Sequence, residues 1–477
     1  MEGLEAAEVR LSYTQKNNDI FRIDSIYFQK QYLKEEKILR VKGSRRLRES
    51  GAEVRSFGAY SLNNEVHYLD AGIPFIRGVN MKGGRVNFSN MLYISQDAHA
   101  LLWKSEIKEG MVLLSMSGTI GEVAIATDSW PYPINSNQDI AKIDVRKAIN
   151  PFILYAFLLS RFGQNYLKRE ARGSVQQHVF LSQIEQLEIP KLGTEFERKI
   201  QETIALSERH QLQSGELLHR AETTLLCAIS LDNWQPLEAL TYIRNSRDAF
   251  AAGRLDAEHF HPRFAALLDQ INRIGGVLLG DWLIKIQRGK QPDYVDEGLP
   301  VVNSKHVLRG VVQLDANNRC AVAGDDDLLI QFGDVLVNGT GVGTIGRSAT
   351  YLHHDKAVPD NHVTILRPKK GLDAVYLSVF MNSIVGQAQV EQRLRGSSGQ
   401  VELYPNDIAQ FRVSLPPVDV QKNIRQFVEQ SYAQKQRATQ LLAAAKRAVE
   451  IAIEDSEAAA LAYLESRKHP TRDPADA

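Results

Sequence analysis

Several stretches of the chain have residue types that could do chemistry, and none completes a catalytic constellation. Gly341-Val342-Gly343-Thr344-Ile345-Gly346 has the GxGxxG spacing of dinucleotide sites. That fingerprint depends on a helix N-terminus that follows at once and receives the pyrophosphate, whereas Arg347 to Leu352 reads as a strand. A tight turn whose glycines take positive φ fits better. No GxxxxGK[ST] motif is present. Asn150-Pro151-Phe152 lacks the second proline of the Asn-Pro-Pro-Phe/Tyr element with which amino-methyltransferases hold a target amine, so it reads as a helix start. His353-His354-Asp355 and His259-Phe260-His261 lack the Cys or carboxylate company of a metal site. They are expected to be turn or surface histidines. Cys227 and Cys320 form no CxxC, which leaves neither a disulfide framework nor a zinc site.

The elements that would position any site come next. At 477 residues the chain calls for roughly two to four domains. Its 43% hydrophobic and 24% charged residues are those of an ordinary soluble protein. The zero net charge argues against a wholesale polyanion binder, although Arg40, Lys42, Arg45, Arg46 and Arg48 make a local basic cluster. No apolar run reaches the ~18 residues of a membrane span, and the N-terminus lacks a secretory core. A cytoplasmic protein with no membrane partner is expected.

Self-similarity is the strongest signal. Arg22-Ile23-Asp24 to Phe28 matches Arg254-Leu255-Asp256 to Phe260. Gly72-Ile73-Pro74 matches Gly298-Leu299-Pro300, and Gly110-Met111-Val112-Leu113 with its Gly118-Thr119-Ile120-Gly121 turn matches Gly333-Asp334-Val335-Leu336 with Gly343-Thr344-Ile345-Gly346. Apolar helices then begin at Pro151 and Ala374, and each leads to Arg-Gly-Ser, at Arg172 and Arg395. Two α/β globules are predicted, at about 22 to 190 and 254 to 415, each trailed by a helix.

Thr194 to Asn233 is predicted to be one long helix, opened by a Thr194/Glu197 capping box and ended by Trp234-Gln235-Pro236. Ile200, Ile204, Leu218, Ala221, Leu225 and Ala228 make a narrow seam for one partner helix. Asp419 to Arg467 supplies that partner through Ile424, Val428, Ala438, Leu442, Ala445, Val449 and Ala452. Ser207, Gln211 and Gly215 interrupt the first seam, so looser pairing is expected there. The predicted fold class is α/β, with two tandem pseudo-symmetric domains separated by long antiparallel coiled-coil helices. Its divisions are domain one (1–193), the central spacer helix (194–235), domain two (236–417), and the distal helix with its tail (418–477). Paired units of this kind match the symmetry with which proteins span DNA half-sites, with the first helix as a ruler.

The Arg-x-Asp-x-x-x-Phe entry, the Gly-Ile/Leu-Pro block, the Gly-x-Val-Leu strand with its Gly-Thr-Ile-Gly turn, the Arg-Gly-Ser segment and the post-proline helices resemble the specificity subunit of type I restriction-modification enzymes. The likeness runs from about Arg22 to Glu465. It departs where Met111 replaces the usual aspartate, present as Asp334 in copy two, and where Gly341 and Val342 lengthen the second turn. The resemblance implies a non-catalytic chain in which each globule is a target-recognition domain reading one half of a bipartite double-stranded DNA sequence. It implies two methyltransferase subunits and restriction subunits as partners. No cofactor is expected on this chain, S-adenosylmethionine being held by the methyltransferase subunit. The alternative is a non-catalytic protein–protein adaptor built on duplicated domains and a helix pair.

Under that resemblance, what the copies share should serve the fold or the DNA backbone, and what they do not share should carry base preference. Arg172 with Ser174 and Arg395 with Ser397 are the expected phosphate contacts, with Gln177 and Gln400 downstream. The divergent segments supply Lys82, Arg85, Asn87 and Asn90 in copy one, and Lys305, His306, Arg309, Asn318 and Arg319 in copy two. These side chains suit base edges, Arg or Lys to guanine and Asn to adenine.

Overall fold

The computed structural model describes residues 7–16, 22–56, 66–89, 91–146, 149–173, 177–235, 239–314, 318–324, 326–341, 343–396 and 401–468. The chain divides into two compact units, residues 1–210 with 436–477 and residues 211–435. Both long helices are therefore shared between units, where the sequence suggested that the domains end at the helix boundaries.

In the first unit a four-stranded antiparallel sheet runs in the order Glu53–Arg55, Ile140–Asp144, Val112–Ser115, Val123–Ile125. A smaller sheet places Ile73–Ile76 between Leu92–Ile94, antiparallel, and Asn135–Ser136, parallel. Val112–Ser115 is buried on both faces, which explains its unbroken apolar run. Val112 and Leu114 face a core shared with the helix Pro151–Leu159, while Leu113 faces Ile76 and Ile134 on the other side. Asn150 starts that helix as expected, its side chain accepting the Phe152 N–H at 3.0 Å ahead of Pro151 at the first turn.

The second unit repeats the order of the large sheet, while its smaller sheet has four described strands in place of three. Its large sheet runs Leu283–Arg288, Val363–Pro368, Val335–Asn338, Ser348–Thr350, and its smaller sheet again has one parallel pair, Leu299–Val302 with Val358–Pro359. Helices Ala374–Asn382, Ile384–Arg393 and Pro405–Ala409 correspond to Pro151–Leu159, Arg161–Glu170 and Leu181–Glu185. The glycine-rich turns lead into strands in both units, with φ of 73° and 90° at Gly118 and Gly121 and 77° and 75° at Gly343 and Gly346. The nucleotide fingerprint is thus excluded by geometry.

The repeated Arg-x-Asp motif is a clip. Arg22 holds Asp24 in a fork at 2.7 and 3.0 Å and donates to the Arg169 carbonyl at 2.7 Å. Arg254 holds Asp256 at 2.7 Å through two nitrogens and donates to the Leu394 carbonyl at 2.9 Å. Each clip ties the entry segment to the end of the same helix. The Met111/Asp334 difference is also structural. Asp334 is buried against Arg367 at 2.7 Å, and the first unit fills the place with a buried methionine, a substitution that costs little because desolvation offsets much of a buried pair.

The long helices are Thr194–Ala228 and Val418–Glu454, followed by a separate helix Glu457–Lys468 that begins at Ser456. The first ends short of the prediction, at Ala228, and is followed by Ser230 with φ 53°, where the Leu231 N–H returns to the Leu226 carbonyl at 2.8 Å. At its start the helix begins at Thr194 itself, and the Gly193 N–H donates to Glu457 Oε2 at 3.0 Å in place of the expected capping box. Every distal seam residue named above is buried, as are Ile200, Ile204, Ala221 and Leu225, but Leu218 and Ala228 are exposed. The seam is not loosened at its serines. Ser207, fully buried, donates to the Ala438 carbonyl at 2.7 Å, and Ser214 meets Ser431 Oγ at 2.9 Å. Moving seven residues forward in one helix and seven back in the other links these two contacts, which defines an antiparallel heptad register.

Candidate nucleic-acid interface

The divergent segments prove to be one hairpin in two sequences. In the first unit Met81–Lys82 pairs with Arg85–Val86 across Gly83 and Gly84, closed by Asn87 N–H to the Asn80 carbonyl at 2.8 Å. In the second, Val307 pairs with Val312 across Arg309 and Gly310, closed by Gln313 N–H to the His306 carbonyl at 2.9 Å. Asn80 and His306 are both buried and do the same work. Asn80 Oδ1 accepts the Arg77 N–H at 3.0 Å, and His306 Nδ1 accepts the Asn303 N–H at 3.1 Å. His306, expected as a base contact, is therefore part of the frame that holds the hairpin.

Arg85 is also turned inward. Its Nη2 donates to Ser207 Oγ at 2.6 Å, and its Nε lies 3.4 Å from Glu208 Oε1, close enough for an ion pair but without hydrogen-bond geometry. Burial raises the Glu208 carboxyl above its usual range, and Arg85 opposes that rise without cancelling it. Tyr155 Oη donates to the Gly84 carbonyl at 2.7 Å, and a Cβ on Gly84 would come 2.9 Å from Leu442. Gly83 N–H donates to Glu122 at 2.9 Å. The tip of this hairpin is thus docked on the first unit's own helices. Lys82 and Asn87 remain exposed, and Asn90 lies outside the described residues.

In the second unit Lys305 and Arg309 are exposed. Burial, and then the charge of Arg309, hold the Arg347 guanidinium below its ordinary range. Asn318 is tied to the sheet through its Nδ2 and the Val301 carbonyl at 3.0 Å, and Arg319 lies over the Tyr294 ring at 3.5 Å.

The two Arg-Gly segments share one backbone design. Arg172 exchanges two backbone bonds with His178, at 2.9 and 2.7 Å, and His178 also bridges Ser117 of the glycine turn. Arg395 does the same with Glu402, which bridges Thr340. Gly173 and Gly396 follow with φ of 114° and 105°, values that a side chain would resist. Each unit thereby places its glycine turn beside its Arg-Gly segment. The guanidinium groups differ in their engagement. Arg395 pairs with Asp407 at 2.7 Å, which raises the arginine further above its usual range, whereas Arg172 lies over the Phe180 ring at 5.8 Å. Gln177 is exposed, while Ser174, Ser397 and Gln400 lie outside the described residues.

Sequence reasoning missed part of this edge. The loop before the central strand carries Gln138 and Asp139 in the first unit and Asn361 and His362 in the second, and His362 Nδ1 meets Thr340 Oγ1 at 2.8 Å. Arg288 donates to the Asn361 carbonyl at 2.6 Å and faces Glu402 at 3.5 Å. The signal available was the matched position ahead of two matched strands, filled by unlike side chains. The histidine pairs are structural: His259 Nδ1 meets the Gln392 carbonyl at 2.7 Å, and His353 Nε2 the Val312 carbonyl at 3.1 Å. Among the described residues no group of His, Cys, Asp or Glu could hold a metal, and no helix is long and apolar enough to cross a membrane.

Residues 54–205 match the family of the type I restriction modification DNA specificity domain. No curated protein matches the sequence. Among solved structures, the chain is similar to the S subunit of a type I restriction-modification system from M. genitalium, at 12% identity and TM-score 0.41, covering 86% of this chain and 95% of that one. It is also similar to the HsdS subunit from Thermoanaerobacter tengcongensis, at 14% identity and TM-score 0.29, covering 87% and 97%. The match to the DNA specificity domain of type I restriction modification thus covers residues 54–205 and lies within the first unit.

Proposed function

We propose that this chain reads a bipartite double-stranded DNA sequence, one unit to each half-site, and docks two methyltransferase subunits and the restriction subunits that supply catalysis. The observation that carries this reading is the repetition of one plan: two units with the same strand order in the large sheet and the same Arg-Gly and glycine-turn frame, but different exposed side chains on that frame. A common frame suits the common phosphate backbone, and unlike side chains suit unlike bases. Arg172 and Arg395 are the backbone contacts in this proposal. Lys82, Asn87, Gln138, Lys305, Arg309, Arg319 and His362 are the candidates for base edges.

The test reconstitutes the chain with its methyltransferase subunit and S-adenosylmethionine and sequences the methylated sites. Exchanging the first globule, residues 22 to 190, for that of another such subunit should change one half of the site only. Methyl transfer by the purified chain alone, or a change in both halves, would overturn the proposal.

A further inference from the structure

The duplication shows what is missing from the second unit. Tyr155 is the fifth residue of the helix Pro151–Leu159, and Ser378 is the fifth of Ala374–Asn382; Leu159 and Asn382 are the ninth in each. In the first unit the Tyr155 hydroxyl, Leu159 and Leu442 close around Gly84 of the hairpin. In the second unit the corresponding space, beneath Gly310, is a cavity of about 190 Å³. Its wall includes Leu218, Val375, Ser378, Val379, Val428 and Tyr432, with Arg309 and Glu222 as the charged members.

The exposure of the matched leucines reflects the difference: Leu442, packed in the first unit, is 8% exposed, and Leu218, its counterpart, is 42% exposed. Tyr432, which takes the place of Glu208, fills only part of the gap, with its Oη 3.5 Å from where a Cβ on Gly310 would lie. A largely apolar cavity of ~150 Å³ is enough to hold a benzene ring.

We propose that this cavity is a binding site for a small uncharged monocyclic compound, with its ring among Leu218, Val379 and Val428 and a polar substituent at the Tyr432 hydroxyl. The first unit supplies the precedent, since a phenol ring, that of Tyr155, occupies the matching space there and hydrogen-bonds to the hairpin at 2.7 Å. Burial keeps the Tyr432 phenol protonated and able to donate.

Phenol is the probe. Titration of the full chain, followed by calorimetry, should show one saturable site per chain. Ser378→Tyr, which restores the side chain of the first unit, should weaken phenol binding at least tenfold. Leu218→Trp should do the same by filling the space from an exposed position, and it decides the matter if Ser378→Tyr does not fold. Absence of saturable binding, or binding that Leu218→Trp leaves unchanged, would overturn the proposal.

Discussion

Arg85→Ala separates a frame residue from a reader. Arg85 is 19% exposed and Glu208 22% exposed. The substitution removes the 2.6 Å bond to Ser207 and strands the Glu208 carboxylate without its cation. A hydrogen bond from a charged donor contributes about 1.5–3 kcal/mol. Glu208 can relieve part of the remaining penalty by taking a proton, since its carboxyl is already raised. A loss of about 2–3 kcal/mol is expected. The position matched to Glu208 in the second unit holds Tyr432, and Val311 stands opposite Arg85, so the pair has been exchanged as a unit there. A double-mutant cycle of Arg85→Ala and Glu208→Ala should therefore show coupling of about 1–2 kcal/mol. Urea denaturation of the four proteins measures it, and methylome sequencing of the reconstituted Arg85→Ala complex should return the wild-type recognition sequence. An unshifted midpoint together with relaxed preference at one base would refute the docking argument.

Arg172→Ala should weaken DNA binding and lower its salt slope by about one unit, whereas Arg395→Ala should do less because Asp407 already competes for that guanidinium; equal slopes for the two would count against this ordering. Lys142 is fully buried and its ammonium is pushed down to about 7 by burial and then by Arg55, while the matched residue of the second unit is Ile365. A depressed lysine contributes stability that is present above its unfolded value near 10.4 and lost as pH falls toward 7, so Lys142→Ile should exceed wild type most at pH 7 and the gain should shrink toward pH 10 in thermal melts. A pH-independent gain would show that Lys142 does not titrate there. Inserting one matched heptad in each long helix, in the register of Ser207 with Ala438, adds ~10 Å and should lengthen the gap between half-sites by up to roughly three base pairs, as read from methylated sites; an active complex with an unchanged gap would exclude a spacer role.

The parts of the fold that were legible in the sequence are those fixed by local rules. Continuous apolar runs and glycine spacing mark Val112–Ser115 and Val335–Asn338 with the turns that follow them, and repetition pairs the two units. Ser207 reads as an interruption in the sequence because a serine in an apolar seam is unfavourable only until a partner is known, and Ala438 lies far away in sequence. The hairpins show a deeper limit. Asn80 and His306 are chemically unlike, so comparison of the copies marks their segments as divergent, yet both accept a backbone N–H from three residues earlier.

Divergence between copies is therefore evidence of readout only where the side chain is not already spent on the frame. That condition sets aside His306 and Arg85, which the frame uses, and keeps Lys82 and Arg309, which are exposed. It also adds Gln138, which stands in the loop where the second unit has Asn361, with no motif to announce it. A side chain that must meet a base has to be free of an internal partner it cannot leave, because an unmade buried bond costs about as much as a base contact returns. Swapping Gln138 for Asn, the residue matched at Asn361, should accordingly change preference within the first half-site while leaving the melting temperature within a degree or two, and a stability loss without any change in recognised sequence would place that loop in the frame as well.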